Sequence, residues 1–446
     1  MTSTTVSGAA PGTLAAATPP GRDRYVDLLR VASLGVVIAG HWLMAAPVLG
    51  PDGGTRVTNV LALVPQLRPM TWLLQVMPVF FLVGGFAHAT ALASIRRRGG
   101  GYADFARSRT ARLLRPAAAF LAVWLVLALG AGLTGQDDGL ARVALRTAVQ
   151  PLWFLGVYLA LVALAPAMWR LHRRFGALVP VALLAVAAGV DVLRFTGHPR
   201  VAVLNLLVIW AGVHQLGFFY ADGTLQRGGR RLALLLAGAG LGAVLLLTGV
   251  GPYPVSMVGV PGEAVSNMSP PTVALAAHAV WLIGLVLLLR EPALRLLARA
   301  RVWRAVVAAN GLAMTAFLWH LTAAFVVLAA FGGLAVAAPG SVGWWLTRPL
   351  WLGAAALVTA VLVAAFRRFD EPRPTVITAG SPVRAAVGAT LCTLGVLGIS
   401  TVGFGALLAG HSATLLVVPV TAPAALALIA LGAGLLRAAP PHPGRR

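Results

Sequence analysis

Twelve apolar runs of 17 to 25 residues follow one another between Val26 and Leu436, at 26–48, 70–94, 116–134, 151–169, 176–193, 201–220, 232–250, 273–289, 307–331, 348–366, 385–409 and 413–436. A helix of about 20 apolar residues crosses the hydrocarbon core of a bilayer, so each run is long enough to span. The predicted fold class is therefore all-α, a polytopic transmembrane helical bundle of about twelve spans. The composition agrees: 59% of residues are hydrophobic and 11% charged, with a mean hydropathy of +0.86, outside the range of water-soluble domains. No room is left for a large soluble domain. Residues 1–21 are rich in Ala, Thr, Pro and Gly and lack an apolar h-region, so they are expected to form a disordered cytoplasmic tail and not a signal peptide. The last two runs also fit a re-entrant hairpin.

All 35 basic residues are Arg, against 12 acidic residues, for a formal charge of +23. Without Lys, Schiff-base and lysine general-base chemistry are excluded, because a guanidinium keeps its proton. So basic a chain suggests nucleic acid, but most of these Arg residues sit in short loops between spans, which suits a lipid surface; no nucleic-acid partner is expected. Placing the N-terminus in the cytoplasm puts 28 Arg on that side and 7 on the other. The positive-inside rule then predicts a multi-pass protein of the cytoplasmic membrane with both termini cytoplasmic. The single cysteine, Cys392, lies in an apolar run and reads as a small buried hydrophobe, unable to form an internal disulfide or a thiolate metal site.

An ionisable side chain inside a span is costly and points to function by default. His41 lies within the first run, eleven residues after Arg30. On a helix eleven residues make about three turns and about 16 Å, so the two side chains share a face. That spacing sets a guanidinium at the expected cytoplasmic mouth and an imidazole near the bilayer centre. The imidazole exchanges a proton near neutral pH, whereas the guanidinium is a fork for phosphate or carboxylate. The alternative is that Arg30 is an ordinary positive-inside anchor and His41 a hydrogen-bonded interior histidine. Arg112 and Arg115 stand one turn apart before Pro116, at the mouth of the third run. Such a pair can clamp a polyphosphate and can equally hold anionic lipid headgroups.

His320 lies midway through the ninth run, ten residues beyond Asn310, while His88, His214 and His278 lie in the second, sixth and eighth. Each could simply bond a carbonyl. No two have metal-ligand spacing, so no metal is expected. Asp191 and Arg194 read as a local ion pair, and Asp370 and Glu371 after Arg367 and Arg368 as a salt-bridged rim. Trp153 reads as an interfacial aromatic, and Gly238 with Gly242 as a helix-packing GxxxG. The segment 251–272, rich in Pro, Gly and Ser, is expected to be an ordered outer connector, with a lid or acceptor contact as the alternative.

Several short motifs stand in order along the chain: Arg24-Tyr25-Val26-Asp27-Leu28-Leu29-Arg30 leading by R-x10-H to His41; Met77-Pro78-Val79-Phe80-Phe81-Leu82-Val83-Gly84-Gly85-Phe86; Arg112-x-x-Arg115-Pro116; Pro151-Leu152-Trp153-Phe154-Leu155; Phe317-Leu318-Trp319-His320; and Glu371-Pro372. In that order and spacing they resemble the acyltransferase-3 family of integral membrane acyltransferases over about residues 22–374. The resemblance implies a ten-helix membrane acyltransferase core at 22–374, then an additional transmembrane helix pair at 375–436 and a cytoplasmic tail at 437–446. It implies transfer of an acyl group, commonly acetyl, from cytoplasmic acyl-CoA (acetyl-CoA) as donor substrate, with no permanently bound cofactor. The acceptor it implies is a hydroxyl of a carbohydrate or other glycan, a glycolipid or lipid-linked sugar, a cell-wall polymer of the cell envelope, or a small-molecule secondary metabolite. By the same resemblance His41, with Arg30, carries catalysis, Arg112 and Arg115 join Arg30 in the donor site, and Trp153, Asn310, His320 and Glu371 are further pocket residues.

The residues suit that chemistry. A hydroxyl is a poor nucleophile at neutral pH, and a buried imidazole can remove its proton as the thioester is attacked, or can itself carry the acyl group. Three departures from the family pattern stand out. Gly84-Gly85 replaces the usual Ser-Gly, a change expected to affect packing more than chemistry. No SGNH-type hydrolase domain follows, so a two-stage scheme is expected to need a partner. The last two runs are expected to return the chain to the cytoplasm or to pack a homo-oligomer among membrane lipids. The competing function is a twelve-span secondary transporter, weakened by the absence of a repeat between the two halves and by few intramembrane carboxylates.

Overall fold

The computed structural model of the chain describes residues 18–19, 21–49, 55–135, 139–331, 337–371, 374–378, 380–405, 407–408, 410–415 and 417–437. The tails expected at 1–21 and 437–446 lie almost wholly outside them, as does Pro372. Among the described residues twelve long helices follow one another: α1 (Arg24–Met44), α2 (Met77–Arg97), α3 (Tyr102–Thr134), α4 (Leu152–Phe175), α5 (Leu178–Phe195), α6 (Asn205–Ala221), α7 (Gly229–Gly249), α8 (Val273–Leu297), α9 (Ala300–Phe331), α10 (Val342–Phe366), α11 (Pro382–Val402) and α12 (Ala422–Leu436). Eleven are long and apolar enough to cross a membrane. The twelfth, α12, has 15 residues and a length of about 22 Å, short of the roughly 30 Å core. It is short because its expected run begins with an antiparallel hairpin, Ser412–Leu415 with Val418–Thr421, and it packs back along α11.

The first span also ends earlier than its hydropathy suggests. Pro47 has no N–H and disfavours helical backbone at Ala46, so α1 stops at Met44. The chain then forms a second antiparallel hairpin, β1 (Ala45–Leu49) with β2 (Thr55–Asn59), in the register Ala45↔Asn59 to Leu49↔Thr55. At its other end α1 is capped by Asp23, whose carboxylate accepts from the Tyr25 and Val26 N–H groups at 3.0 and 3.3 Å, satisfying donors that the first turn leaves open.

The third span extends beyond its apolar run at the start, beginning at Tyr102 and not at Pro116. Asp104 in its first turn accepts the Gly101 and Thr378 N–H groups at 3.0 and 2.9 Å and pairs with Arg107 at 2.6 Å. Ala103, Phe105, Ala106, Thr110 and Leu114 are buried, while four arginines interleave with them. This turn-by-turn amphipathicity conceals a helix from mean hydropathy. The arginines of the motif therefore ride on a continuous rigid helix.

Close helix contacts are made at glycines. A Cβ on Gly85 of α2 would lie 2.0 Å from the His214 carbonyl oxygen of α6, and one on Gly217 would lie 2.2 Å from the Leu82 carbonyl oxygen. In α7 the expected Gly238/Gly242 face is open, with nothing within 4 Å of either. Gly240 is the residue that packs, 2.3 Å from Trp281 N of α8 by the same construction, and one turn along the same seam Gly284 of α8 packs on Ala237. Two residues turn a helix by about 200°, so the packing face is nearly opposite to the one the GxxxG spacing suggested.

The segment 251–272 is tied down as an ordered connector. Trp72 donates its indole N–H to the Val255 carbonyl at 2.7 Å, the Thr71 hydroxyl accepts the Met257 N–H at 2.9 Å, and Arg68 pairs with Glu263 at 2.7 Å.

Candidate active site

α1 and α9 run side by side with their chemistry in register. Arg30 donates to the Asn310 side-chain oxygen at 3.3 Å, and one spacing further on His41 Nδ1 meets His320 Nε2 at 2.9 Å. Eleven residues on α1 and ten on α9 are both about 15–16 Å, so two polar layers align across one helix pair. Trp42 fixes the upper layer by donating to the His320 carbonyl at 2.9 Å, and its own carbonyl accepts from Trp351 of α10 at 2.9 Å. In the lower layer Asn310 also donates to Asp27 at 3.0 Å, and Asp27 takes Arg22 at 2.6 Å.

The upper layer assigns its own tautomers. His320 Nδ1 is bonded to the Phe317 carbonyl oxygen, which only accepts, so Nδ1 carries the hydrogen. With the ring neutral, His320 Nε2 is then an acceptor, and His41 Nδ1–H donates to it. His41 Nε2 is left with its lone pair, and His41 lines a cavity of about 510 Å³. A proton taken at Nε2 puts positive charge on a ring already tied through His320 to a carbonyl dipole. The chain carbonyl, imidazole, imidazole is a holder for a base.

Around the lower layer positive charge accumulates. Arg30, Arg109 and Arg112 are close enough to act on one another electrostatically, with the Tyr158 ring among them. Arg109 went unnoticed in the sequence, although it stands one turn before Arg112 and makes the pattern R-x-x-R-x-x-R on one face of α3. Arg112 is exposed, whereas Arg115 donates to the Glu371 carbonyl at 3.0 Å. Arg112 and Arg115 both act on the Asp370 carboxylate, so the expected pair stands together at the turn after α10, with Arg112 also close to Arg30 and Arg109. Gly84 makes room for Tyr158, since a Cβ there would sit 2.7 Å from its ring. Serine at this position would crowd that ring, so the departure bears on packing beside the arginines.

The cavity opens beside His41, with most of its walls on the side away from Arg30. Its walls include Val36, Gly40 and Met44 of α1, Trp153 and Phe154 at the start of α4, and Phe317, Leu321 and Phe325 of α9, with Val258, Gly259, Met268 and Ser269 from the 251–272 connector. Trp153 is therefore a cavity wall. The connector is at once ordered and in contact with the cavity.

A family model described as an acyltransferase domain matches residues 23–368. The chain belongs to the acyltransferase-3 family. No curated protein and no solved structure matches it. The family match makes the chain an acyltransferase, and its apolar helices make it a multi-pass membrane protein. Nothing in the match supports the secondary-transporter alternative. The matched segment runs from the N-cap of α1 to the turn after α10 and includes His41, Arg30, Arg112, Arg115, Trp153, Asn310 and His320; Glu371, α11 and α12 lie beyond it.

Other polar residues of this acyltransferase bond one another or the backbone. His278 bonds the Trp72 carbonyl at 2.7 Å, but His88 and His214 bond each other at 2.8 Å and not a carbonyl. Asp191 is not paired with Arg194: it accepts from Asn205 at 2.9 Å, Tyr253 at 3.0 Å and the Val273 N–H at 2.8 Å, tying α5 to the connector and α8. The salt-bridged rim is also replaced. Asp370 accepts from the Thr315 N–H and hydroxyl at 3.2 and 3.3 Å, and Arg368 lies over Phe369. Burial pushes the Asp370 carboxyl up, with the Thr315 N–H pulling the other way. Among the described residues no three His, Cys, Asp or Glu gather as a metal site. Cys392 is fully buried against α12.

Proposed function

We propose that this acyltransferase moves an acyl group, acetyl in the simplest case, from cytoplasmic acyl-CoA to an acceptor hydroxyl, with His41 as general base. His41 Nε2 takes the hydroxyl proton as the oxygen attacks the thioester carbonyl. The tetrahedral intermediate collapses, the C–S bond breaks, and the proton returns to the departing thiolate, giving an O-acyl ester and free coenzyme A. Arg30, Arg109 and Arg112 hold the donor phosphates, each with a planar fork suited to phosphate oxygens. With both termini cytoplasmic the arginine layer faces the cytoplasm and the cavity the opposite side, so donor and acceptor reach His41 from opposite mouths. The observation that supports the reading is His41 Nε2, which has no protein hydrogen bond among the described residues, on a histidine that lines the cavity and shares a face of α1 with Arg30.

The test is acyl-CoA-dependent release of coenzyme A by the purified, detergent-solubilised protein with a mixture of candidate acceptors, paired with the melting temperature in acetyl-CoA. Release together with thermal stabilisation is expected. The absence of both release and stabilisation would contradict the reading.

A further inference from the structure

Among the described residues no charged side chain lines the cavity beyond His41. Its walls are mostly apolar, and four of the chain's eight methionines, Met44, Met70, Met77 and Met268, are among them. Unbranched thioether side chains adjust to the shape of what they meet, so such a wall tolerates a bulky apolar guest. Several polar lining groups are committed to the backbone. Gln75 donates to the Met257 carbonyl and accepts from the Met77 N–H, each at 3.2 Å. The hydroxyls of Thr71 and Thr147 donate to the Arg68 and Val143 carbonyls at 2.6 and 2.7 Å. Arg68, a cation beside this wall, is neutralised by Glu263 at 2.7 Å.

We propose that this cavity binds the acceptor and that the acceptor is an uncharged, largely apolar alcohol, presenting one hydroxyl to His41 Nε2. The proposal rests on the acyl-transfer reading above and narrows it. A carboxylate or phosphate entering the cavity sheds water and meets no cation, a transfer that costs far more than burying a neutral hydroxyl. A polyol finds few side-chain partners in this wall besides Thr58, Gln150 and Ser269, and each further hydroxyl left unpaired costs about 1–3 kcal/mol. The hydroxyl at the reacting end has the imidazole as its partner. The volume, about 510 Å³, falls in the range of cavities that enclose small molecules. Acidic envelope polymers and free sugars are thereby disfavoured relative to neutral amphiphilic alcohols.

The experiment uses the full chain in lipid nanodiscs and a decanol carrying a diazirine, which cross-links where it binds whether or not it is acylated. Adducts are expected in 36–44 and 70–77, competed by 1-decanol at a concentration at least tenfold lower than by 10-hydroxydecanoate. Leu74→Arg, which places a cation in the wall, is expected to bring the two competitors level or to invert them. Adducts absent from those segments, or equal competition by the acid in the wild type, overturn the proposal. Acetyl-CoA-dependent release of coenzyme A separates the two readings. Release without cavity adducts overturns this inference alone, whereas adducts without release, with decanol present, overturn the acceptor role through the acyl-transfer reading.

Discussion

His320 reaches His41 through one hydrogen bond at 2.9 Å and holds its own tautomer through Phe317, so its removal frees the His41 ring and its tautomer without removing the base. His320→Ala is expected to lower kcat by about 10²–10³-fold with little change in the KM for acyl-CoA, within the roughly 10²–10⁴-fold that general-base catalysis contributes. His320→Gln, whose amide oxygen can still accept from His41 Nδ1–H, is expected to recover about tenfold of that loss; equal rates for the two variants would contradict the positioning role. Arg109→Ala and Arg112→Ala are each expected to weaken acetyl-CoA binding by about 10- to 100-fold, the value of a charge-assisted hydrogen bond of about 1.5–3 kcal/mol. Titration of the variants with acetyl-CoA checks it, and unchanged affinity in both would move the donor elsewhere. The face shared by Arg30 and His41 was legible in the sequence because helical periodicity alone determines it. The partnership of His41 with His320 was not, since it depends on α1 and α9 being neighbours, which a separation of 279 positions does not reveal. Arg109 was legible as the third member of an evenly spaced series on one face of α3.

Helices in lipid gain little from burying apolar surface against one another, so close approach at small residues decides their pairing. Gly85→Ala and Gly217→Ala each force a Cβ within about 2 Å of a carbonyl oxygen on the facing helix; each is expected to destabilise the protein by about 1–3 kcal/mol, as overpacking does. Gly238→Ala, facing open space, is expected to be neutral or mildly stabilising because alanine favours the helix by about 1 kcal/mol. Thermal unfolding of the three variants in one detergent checks the order, and a loss at Gly238 as large as that at Gly85 would contradict the assigned face. At this scale the number and sequence of the helices were legible in the apolar runs. Their ends were not, for two physical reasons: Pro47 and the 412–421 hairpin terminate helices inside apolar sequence, and the arginines of α3 interrupt hydropathy without interrupting the helix. The α7 face was misread because glycines at 238, 240 and 242 populate both sides, and only the neighbouring α8 selects between them.

For the whole molecule, the account requires two mouths meeting at one imidazole, with the arginines facing the cytoplasm. Cysteine labelling tests the orientation cleanly, because Cys392 is fully buried and a new cysteine gives the main signal. In intact cells a membrane-impermeant maleimide is expected to label Pro261→Cys, in the exposed connector, and to spare Arg230→Cys, at the exposed start of α7. The reverse pattern would invert the direction of transfer while leaving the chemistry in place. The central claim, that proton removal at His41 links the two mouths, is tested most directly by single-turnover transfer of labelled acetyl from acetyl-CoA to an acceptor by His41→Ala beside the wild type. The account predicts a loss of at least about 100-fold in the transfer rate, with the acetyl-CoA affinity and melting temperature unchanged. Transfer by His41→Ala at the wild-type rate would contradict it.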